Sequence, residues 1–493
     1  MSDAEFVEAE SAPVTQRPVS ALVRGSVPRA LFGMAWPLLG GTFAMNAYGL
    51  TDAYFVGKLG TLPLAAMAFA IPVVMLLTFI AGGLGSGVTI LMSHALGRDD
   101  KDAAVRLVSD GIILTSAAAV VLALAGYLSM DWLFARLGAD GQTMPLIRAY
   151  MSVWYFGAVF MAMPMMGNGL LISCGDSAAA SGRMILGASL NAILNPLLIH
   201  GYFGLHAFGI RGSALATVIA QAVSTAWLFW LLHHRHQLLK WKSTKLSGLL
   251  VSFRGILRFA IPGMMSMILM PVASSTITRL LSRFGHEVVA ASGVAGRIEM
   301  VAFIIPMALG IALTPFVSQN FGARRIDRVR EAFRISTTFA LLYGAAMAVL
   351  YFIFAPKVAW LFTDDPKVAH TLVAYMRITS ISYGMTEVHR YCTFFLTGLH
   401  KPLHSLMLDA IRVIILLAPL AYLFSMLMGV NGVFWGRVVT DVTSGSIGMM
   451  WGHPHAPAHD ERPGGGGCRP GTVDSAATPP SAARKAAGRH RSS

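Results

Sequence analysis

The sequence predicts an all-α membrane protein of about twelve transmembrane helices, in two six-helix lobes related by a pseudo-twofold axis along the membrane normal. Three observations predict it: composition, the spacing of apolar runs, and an internal repeat. Of 493 residues, 55% are hydrophobic and 13% charged, with a mean hydropathy of +0.62. A soluble globular chain carries about 25% charged residues. The 49 glycines fit the same class, because glycine is commoner in membrane helices than in soluble ones.

A helix needs roughly 20 apolar residues to cross the hydrocarbon core. Such runs lie at about 31–56, 64–96, 107–130, 146–172, 184–200 and 211–232, then at 257–281, 288–320, 332–354, 370–397, 405–428 and 433–451. The acidic start "MSDAEFVEAE" lacks the basic region of a cleaved signal, so the first run is expected to stay as a span. Lys and Arg concentrate in the N-tail (Arg17, Arg24, Arg29), the second loop (Arg98, Lys101, Arg106), the middle connection (Arg235, Lys240, Lys242, Lys245, Arg254, Arg258) and the eighth loop (Arg324, Arg325, Arg328, Arg330). The positive-inside rule then puts both termini in the cytoplasm of a cell (inner) membrane. The net charge of +14 would suggest nucleic acid in a soluble chain; here it sits in inter-helix segments, and no nucleic-acid partner is expected.

The two halves align without gaps over a long stretch. Pro37 matches Pro262, 225 positions later, and the same offset pairs Gly60 with Gly285, Gly85 with Gly310, Thr89 with Thr314, Ser93 with Ser318 and Gly97 with Gly322. "AYM" at 149–151 recurs at 374–376, and "GIRG" at 209–212 answers "GVNG" at 429–432. An even number of spans inserts both copies the same way, which is the parallel-repeat plan of secondary transporters. The expected organisation is a cytoplasmic tail (1–30), an N-lobe (31–232), a cytoplasmic linker (233–256), a C-lobe (257–451) and a Pro/Gly/Ala-rich tail (452–493) that reads as disordered.

Asp52 stands near the end of the first run, where a charge costs about 2.5–3.5 kcal/mol on insertion scales. No basic residue lies at i±3 or i±4 to neutralise it. Counting from the predicted helix ends places Asp52, Asn195 and Thr217 at one depth in the outer half of the N-lobe, with Asn191 one turn below Asn195 on the same face. A carboxylate, two amides and a hydroxyl at one level can hold a proton or a hard monovalent cation. Intramembrane acids without a partner are functional by default. The alternative is an Asp that hydrogen-bonds neighbouring helices.

The C-lobe spans carry Glu387 with Arg390, Asp409 with Arg412 and Arg437 with Asp441 at helical spacings that allow pairing, while Arg297 and Glu299 need partners on other helices. These read mainly as a structural ion-pair network. Glu299 and Glu387 are the candidates if a second coupling site exists there. Methionines at 161, 163, 165, 166, 264, 265, 267 and 270 suit either ordinary packing or a pocket that accepts many shapes. Three scattered cysteines give no disulfide framework, and "HHRH" at 233–236 reads as interfacial charge rather than a metal site.

"WPLLGG…TDAYFVGKLG…LAAMAFA", "GSGVTILMSHALGRDD", "LNAILNPLLI", "GIRGSALATVIAQ" and "GVNGVFWGRVVTD", in this order, resemble the multidrug and toxic compound extrusion (MATE) family over about residues 25–451. The resemblance implies a secondary antiporter that exports amphipathic, often cationic, organic compounds against inward protons or sodium and needs no cofactor. It implies a monomer, and no enzymatic step. It also puts the family's cation site on Asp52, Asn191, Asn195 and Thr217. The family often has Asp where this chain has Asn195 ("LNP" rather than "LDP"), which removes one negative charge. No ATP-binding P-loop is found in the sequence. The rival readings are a lipid-linked precursor flippase, which would need a cationic cavity where the N-lobe spans are nearly free of Lys and Arg, and a membrane-embedded enzyme, for which no catalytic constellation is found.

Overall fold

The computed structural model describes residues 21–204, 206–239 and 246–452. Lys240, Lys242, Lys245, most of the N-terminal tail and the expected disordered tail beyond Gly452 lie outside them. The described residues form helices joined by short turns, with no strand among them. In the N-terminal half these are α1 (Val27–Gly57), α2 (Thr61–Gly97), α3 (Lys101–Arg136), α4 (Met144–Phe156), α5 (Ala158–Ser173), α6 (Ser177–His200) and α7 (Ile210–Trp230). The C-terminal half has α8 (Leu246–Leu281), α9 (His286–Ala302), α10 (Ile304–Gly322), α11 (Ile326–Phe362), α12 (Pro366–Ser380), α13 (Tyr383–Gly398), α14 (Pro402–Ala410) and α15 (Ala418–Gly452).

Every expected apolar run falls on helix, but several are broken. Run 146–172 becomes α4 and α5, bent by 55°. Runs 288–320 and 370–397 divide at Phe303 and near Ser382. A π-helical segment, Ile411–Leu417, joins α14 to α15, and α15 is itself interrupted at Gly429 (φ 62, ψ −137). Among the described residues eight helical stretches are long and apolar enough to cross a bilayer, or nine with the bent pair counted as one. The α12–α13 pair does not qualify on composition. α13 is buried on most of its surface and carries Glu387 and His389, so its residues answer to protein neighbours rather than to lipid.

The duplication is visible in the backbone. Gly60 and Gly285 have φ of 116 and 113; Asp99 and Arg324 have φ of 61 and 58; Gly175 and His400 have φ of 78 and 63. Each pair is 225 residues apart. Gly209 (φ 57, ψ −136) and Gly429 (φ 62, ψ −137) end the series at the offset of "GIRG" and "GVNG". Left-handed φ is uncommon for Asp, Arg and His, so its recurrence at matched positions reflects a shared backbone path.

The contacts between the halves repeat in the same way. A side chain at Gly97 would strike the backbone of Gln319, and one at Gly322 would strike that of His94. Both partners are shifted by 225, so the contact is self-complementary across a twofold. α2 packs on α8 as α10 packs on α1, and α2 meets α10 directly. Ser318 Oγ donates across this junction to the Ile90 carbonyl at 2.8 Å. Within the N-terminal half, α1 packs on α6, and α6 on α7. That trio of helices positions the site.

Candidate functional site

α6 begins where Asp176 accepts a hydrogen bond from the Ala179 amide at 3.2 Å, an N-cap of the ordinary kind. From that start Asn191 and Asn195 fall one turn apart on the face toward α1 and α7. Both are fully buried, and Asp52 is 5% exposed. The Asn195 amide donates to Asp52 Oδ1 at 3.2 Å and to Asn191 Oδ1 at 3.0 Å. Asn191 in turn donates to Thr217 Oγ1 at 3.0 Å. All four residues expected from the sequence therefore meet in one hydrogen-bonded chain across three helices.

The structure adds members that depth counting missed. Ser213 Oγ donates to Asp52 Oδ1 at 2.5 Å, and the hydroxyls of Tyr48 and Tyr150 stand within reach of the Asp52 charge. Ser213 lies four residues before Thr217 and Tyr48 four before Asp52. The i, i+4 rule alone puts each on the same face as a known member, so a signal was present. Two donors converge on Oδ1, and Asn195 Oδ1 is buried without a donor. No Lys, Arg or His pairs with Asp52 among the described residues. The arrangement is a carboxylate with one oxygen held and an oxygen-rich surround.

In the C-terminal half the expected charges do pair, with two corrections. Arg390 lies 3.2 Å from Glu387, and Arg437 lies 3.7 Å from Asp441. Asp409, however, does not pair with Arg412. It faces His389 Nε2 at 3.1 Å, while Arg412 reaches α15 and holds Asp441 at 2.8 Å. The π-helical register carrying Arg412 turns it away from α14, so the i, i+3 spacing does not apply. Arg297 is exposed and joins none of these pairs, so it needs no partner on another helix. Glu299 finds Arg437 at 2.9 Å and the Tyr383 hydroxyl at 3.0 Å, and Tyr375 also bonds Arg437.

One cation in the N-terminal half had no place in the sequence reading. Arg183 is 4% exposed on α6, just ahead of the run placed at 184–200, so that half is not free of buried positive charge. It lies on the wall of a cavity of about 100 Å³ between α1, α5, α6 and α7.

A duplicated bundle of apolar helices with a buried, unpaired carboxylate in one half defines the chain as a membrane transporter of the parallel-repeat class. It belongs to the MatE family, the multidrug and toxic compound extrusion transporters, whose pattern it matches at residues 37–197 and again at 262–423. The two matches begin 225 residues apart (262 minus 37), the offset of the internal repeat. The chain is 31% identical over 424 residues to the "FAD transporter" of Shewanella oneidensis, covering 86% of this chain and 94% of that protein. It is 26% identical over 364 residues to the "Probable multidrug resistance protein YoeA" of Bacillus subtilis, covering 73% of this chain and 78% of that one. Its fold is similar to that of the Vibrio cholerae MATE transporter VcmN in the bent form, with a TM-score of 0.82, 28% identity, and coverage of 86% and 96% of the two chains.

Proposed function

We propose that the chain is a cation-coupled antiporter that exports amphipathic organic compounds in exchange for inward protons or sodium, with Asp52 as the coupling group. The observation that supports this reading is the buried Asp52, held by Asn195 and Ser213 and without a cationic partner. Such a carboxylate is expensive in hydrocarbon and can be neutralised by a proton or by sodium. An equilibrium moves only when a ligand binds one state better than another. Asp52 meets that requirement, because its three-helix surround exists only while α1, α6 and α7 are packed together. α1 is also breakable: Pro37 lacks an amide hydrogen, so the Gly33 carbonyl has no i+4 donor, and the segment carrying Tyr48 and Asp52 can pivot there.

The coupling ion enters the outer half of the first lobe, in a protein that acts as a monomer in the cell (inner) membrane with both termini in the cytoplasm. The MATE resemblance supports cationic cargo. The name of the Shewanella relative supports a second cargo class, a nucleotide anion, and the buried Arg183 favours it.

Asp52→Asn preserves shape and most hydrogen bonds but cannot titrate. In proteoliposomes it should insert and remain folded, while transport driven by a proton or sodium gradient falls to background. Gradient-driven transport at the wild-type rate, at equal reconstitution, would leave Asp52 a structural residue.

A further inference from the structure

We infer that the N-terminal half holds a binding site for an anionic group, the phosphate or carboxylate of an amphipathic molecule, centred on Arg183. Its guanidinium is deep in an apolar bundle, yet every partner it has is neutral. Nη1 donates to Ser224 Oγ at 2.9 Å, and Nη2 to the Pro164 carbonyl at 3.2 Å and Asn168 Oδ1 at 3.1 Å. Nε is buried with no acceptor. No carboxylate acts on it among the described residues.

The other deeply placed arginines differ. Arg412 and Arg437 hold carboxylates. Arg328, 6% exposed, is a clamp: it donates to Asn320 and to the carbonyls of Leu22, Arg24 and Gly25, tying the start of α1 to α11. Those groups have counter-charges or an acceptor on every guanidinium nitrogen. Arg183 has neither.

It also faces space. The cavity beside it, about 100 Å³, has Tyr48, Asn168, Gln221 and Ser224 on its polar wall. It has room for several waters, or for the head of a larger molecule. Met45 and Met165 form the apolar side, and thioethers adapt to flat or irregular bodies. A guanidinium stays charged in proteins and matches the two oxygens of a carboxylate or phosphate; a cationic head would be repelled there. The site adjoins the ion cluster: it shares Tyr48, one turn from Asp52, and its Gln221 is one turn from Thr217.

That the anion is exported cargo rests on the antiporter reading; that an anion binds does not. The test therefore uses equilibrium binding to the purified full chain in neutral detergent, with no gradient. Riboflavin and flavin mononucleotide share ring and side chain and differ by one phosphate, and binding is followed by flavin fluorescence. Flavin mononucleotide should bind about tenfold or more tightly than riboflavin. Arg183→Met should bring the ratio to about one, and Arg183→Lys, which keeps the charge but not the fork, should keep part of it. The lysine variant serves if the methionine variant does not fold.

Absence of saturable flavin mononucleotide binding, an equal affinity for the two flavins, or an undiminished ratio in folded Arg183→Met would overturn the site. Displacement of the nucleotide by short-chain phosphatidylglycerol, at concentrations where phosphatidylcholine has no effect, would assign Arg183 to a lipid headgroup and overturn the cargo assignment. Failure of the Asp52→Asn transport test with the flavin ratio intact would remove the antiporter and leave the anion site standing.

Discussion

Asp52 and Asp441 are both buried intramembrane carboxylates, and their surroundings assign them different work. Asp441 is fully buried between Arg412 at 2.8 Å and Arg437 at 3.7 Å, with Ser382 donating at 3.2 Å. It is fixed between two counter-charges on separate turns, so it is a tie. By the "GIRG"/"GVNG" offset of 220, Arg437 and Asp441 occupy the positions of Thr217 and Gln221: the second copy has ion pairs where the first has neutral ligands. Arg412→Ala should therefore destabilise by about 3 kcal/mol, the low end for breaking a buried pair, because Arg437 and Ser382 remain. Arg297→Ala, at an exposed position, should change stability by no more than about 0.5 kcal/mol. Thermal unfolding in detergent distinguishes the two, and an equal effect would mean that the network is not what holds this half. Asn195→Asp places a second carboxylate beside Asp52. Apparent sodium affinity in transport should rise by about tenfold or more, since two unit charges at close range attract a cation far more than one. Unmoved sodium and proton dependence in a folded Asn195→Asp protein would remove Asn195 from the ion site.

α6 supplies both asparagines and Arg183, so its start fixes the register of the site and of the cavity together. Asp176 does two things there: it caps the helix at the Ala179 amide and holds Arg235 and His236, each at 3.2 Å, from the end of the π-helical turn that follows α7. These roles separate by substitution. Asp176→Asn keeps a good cap and should cost a few tenths of a kcal/mol, because Arg235 is largely exposed and its pair is weak. Asp176→Ala loses the cap as well and should cost about 1 kcal/mol in total. Equal unfolding temperatures for the two variants would show that the cap contributes nothing.

At the scale of the molecule, the two halves approach closely at the α2–α10 crossing, where Gly97 lies on Gln319 and Gly322 on His94. Backbone meets backbone there because no Cβ intervenes. Gly97→Leu must push the helices apart at that end, and overpacking of this kind costs about 1–3 kcal/mol. Hydrogen exchange along α10 should rise, and the unfolding temperature should fall. Unchanged exchange and stability would show that the halves are not in contact there in solution.

Composition and periodicity determined the class of this protein, because a bilayer imposes length and apolarity on every span and a duplicated gene repeats them. The same logic brought Asp52, Asn191, Asn195 and Thr217 to neighbouring turns of three helices, with Asn191 one turn below Asn195, since depth along a straight helix is arithmetic. Pairing between helices was less legible. His389 with Asp409, Arg412 with Asp441 and Glu299 with Arg437 depend on how helices rotate and where they break. The π-helical segment before α15 that redirects Arg412 has no sequence marker comparable to a proline or glycine. Arg183 was invisible for a related reason: a lone arginine at the edge of an apolar run looks like an interfacial charge. Only the packing of α5, α6 and α7 around it decided that it lies inside, with neutral partners and an open cavity beside it.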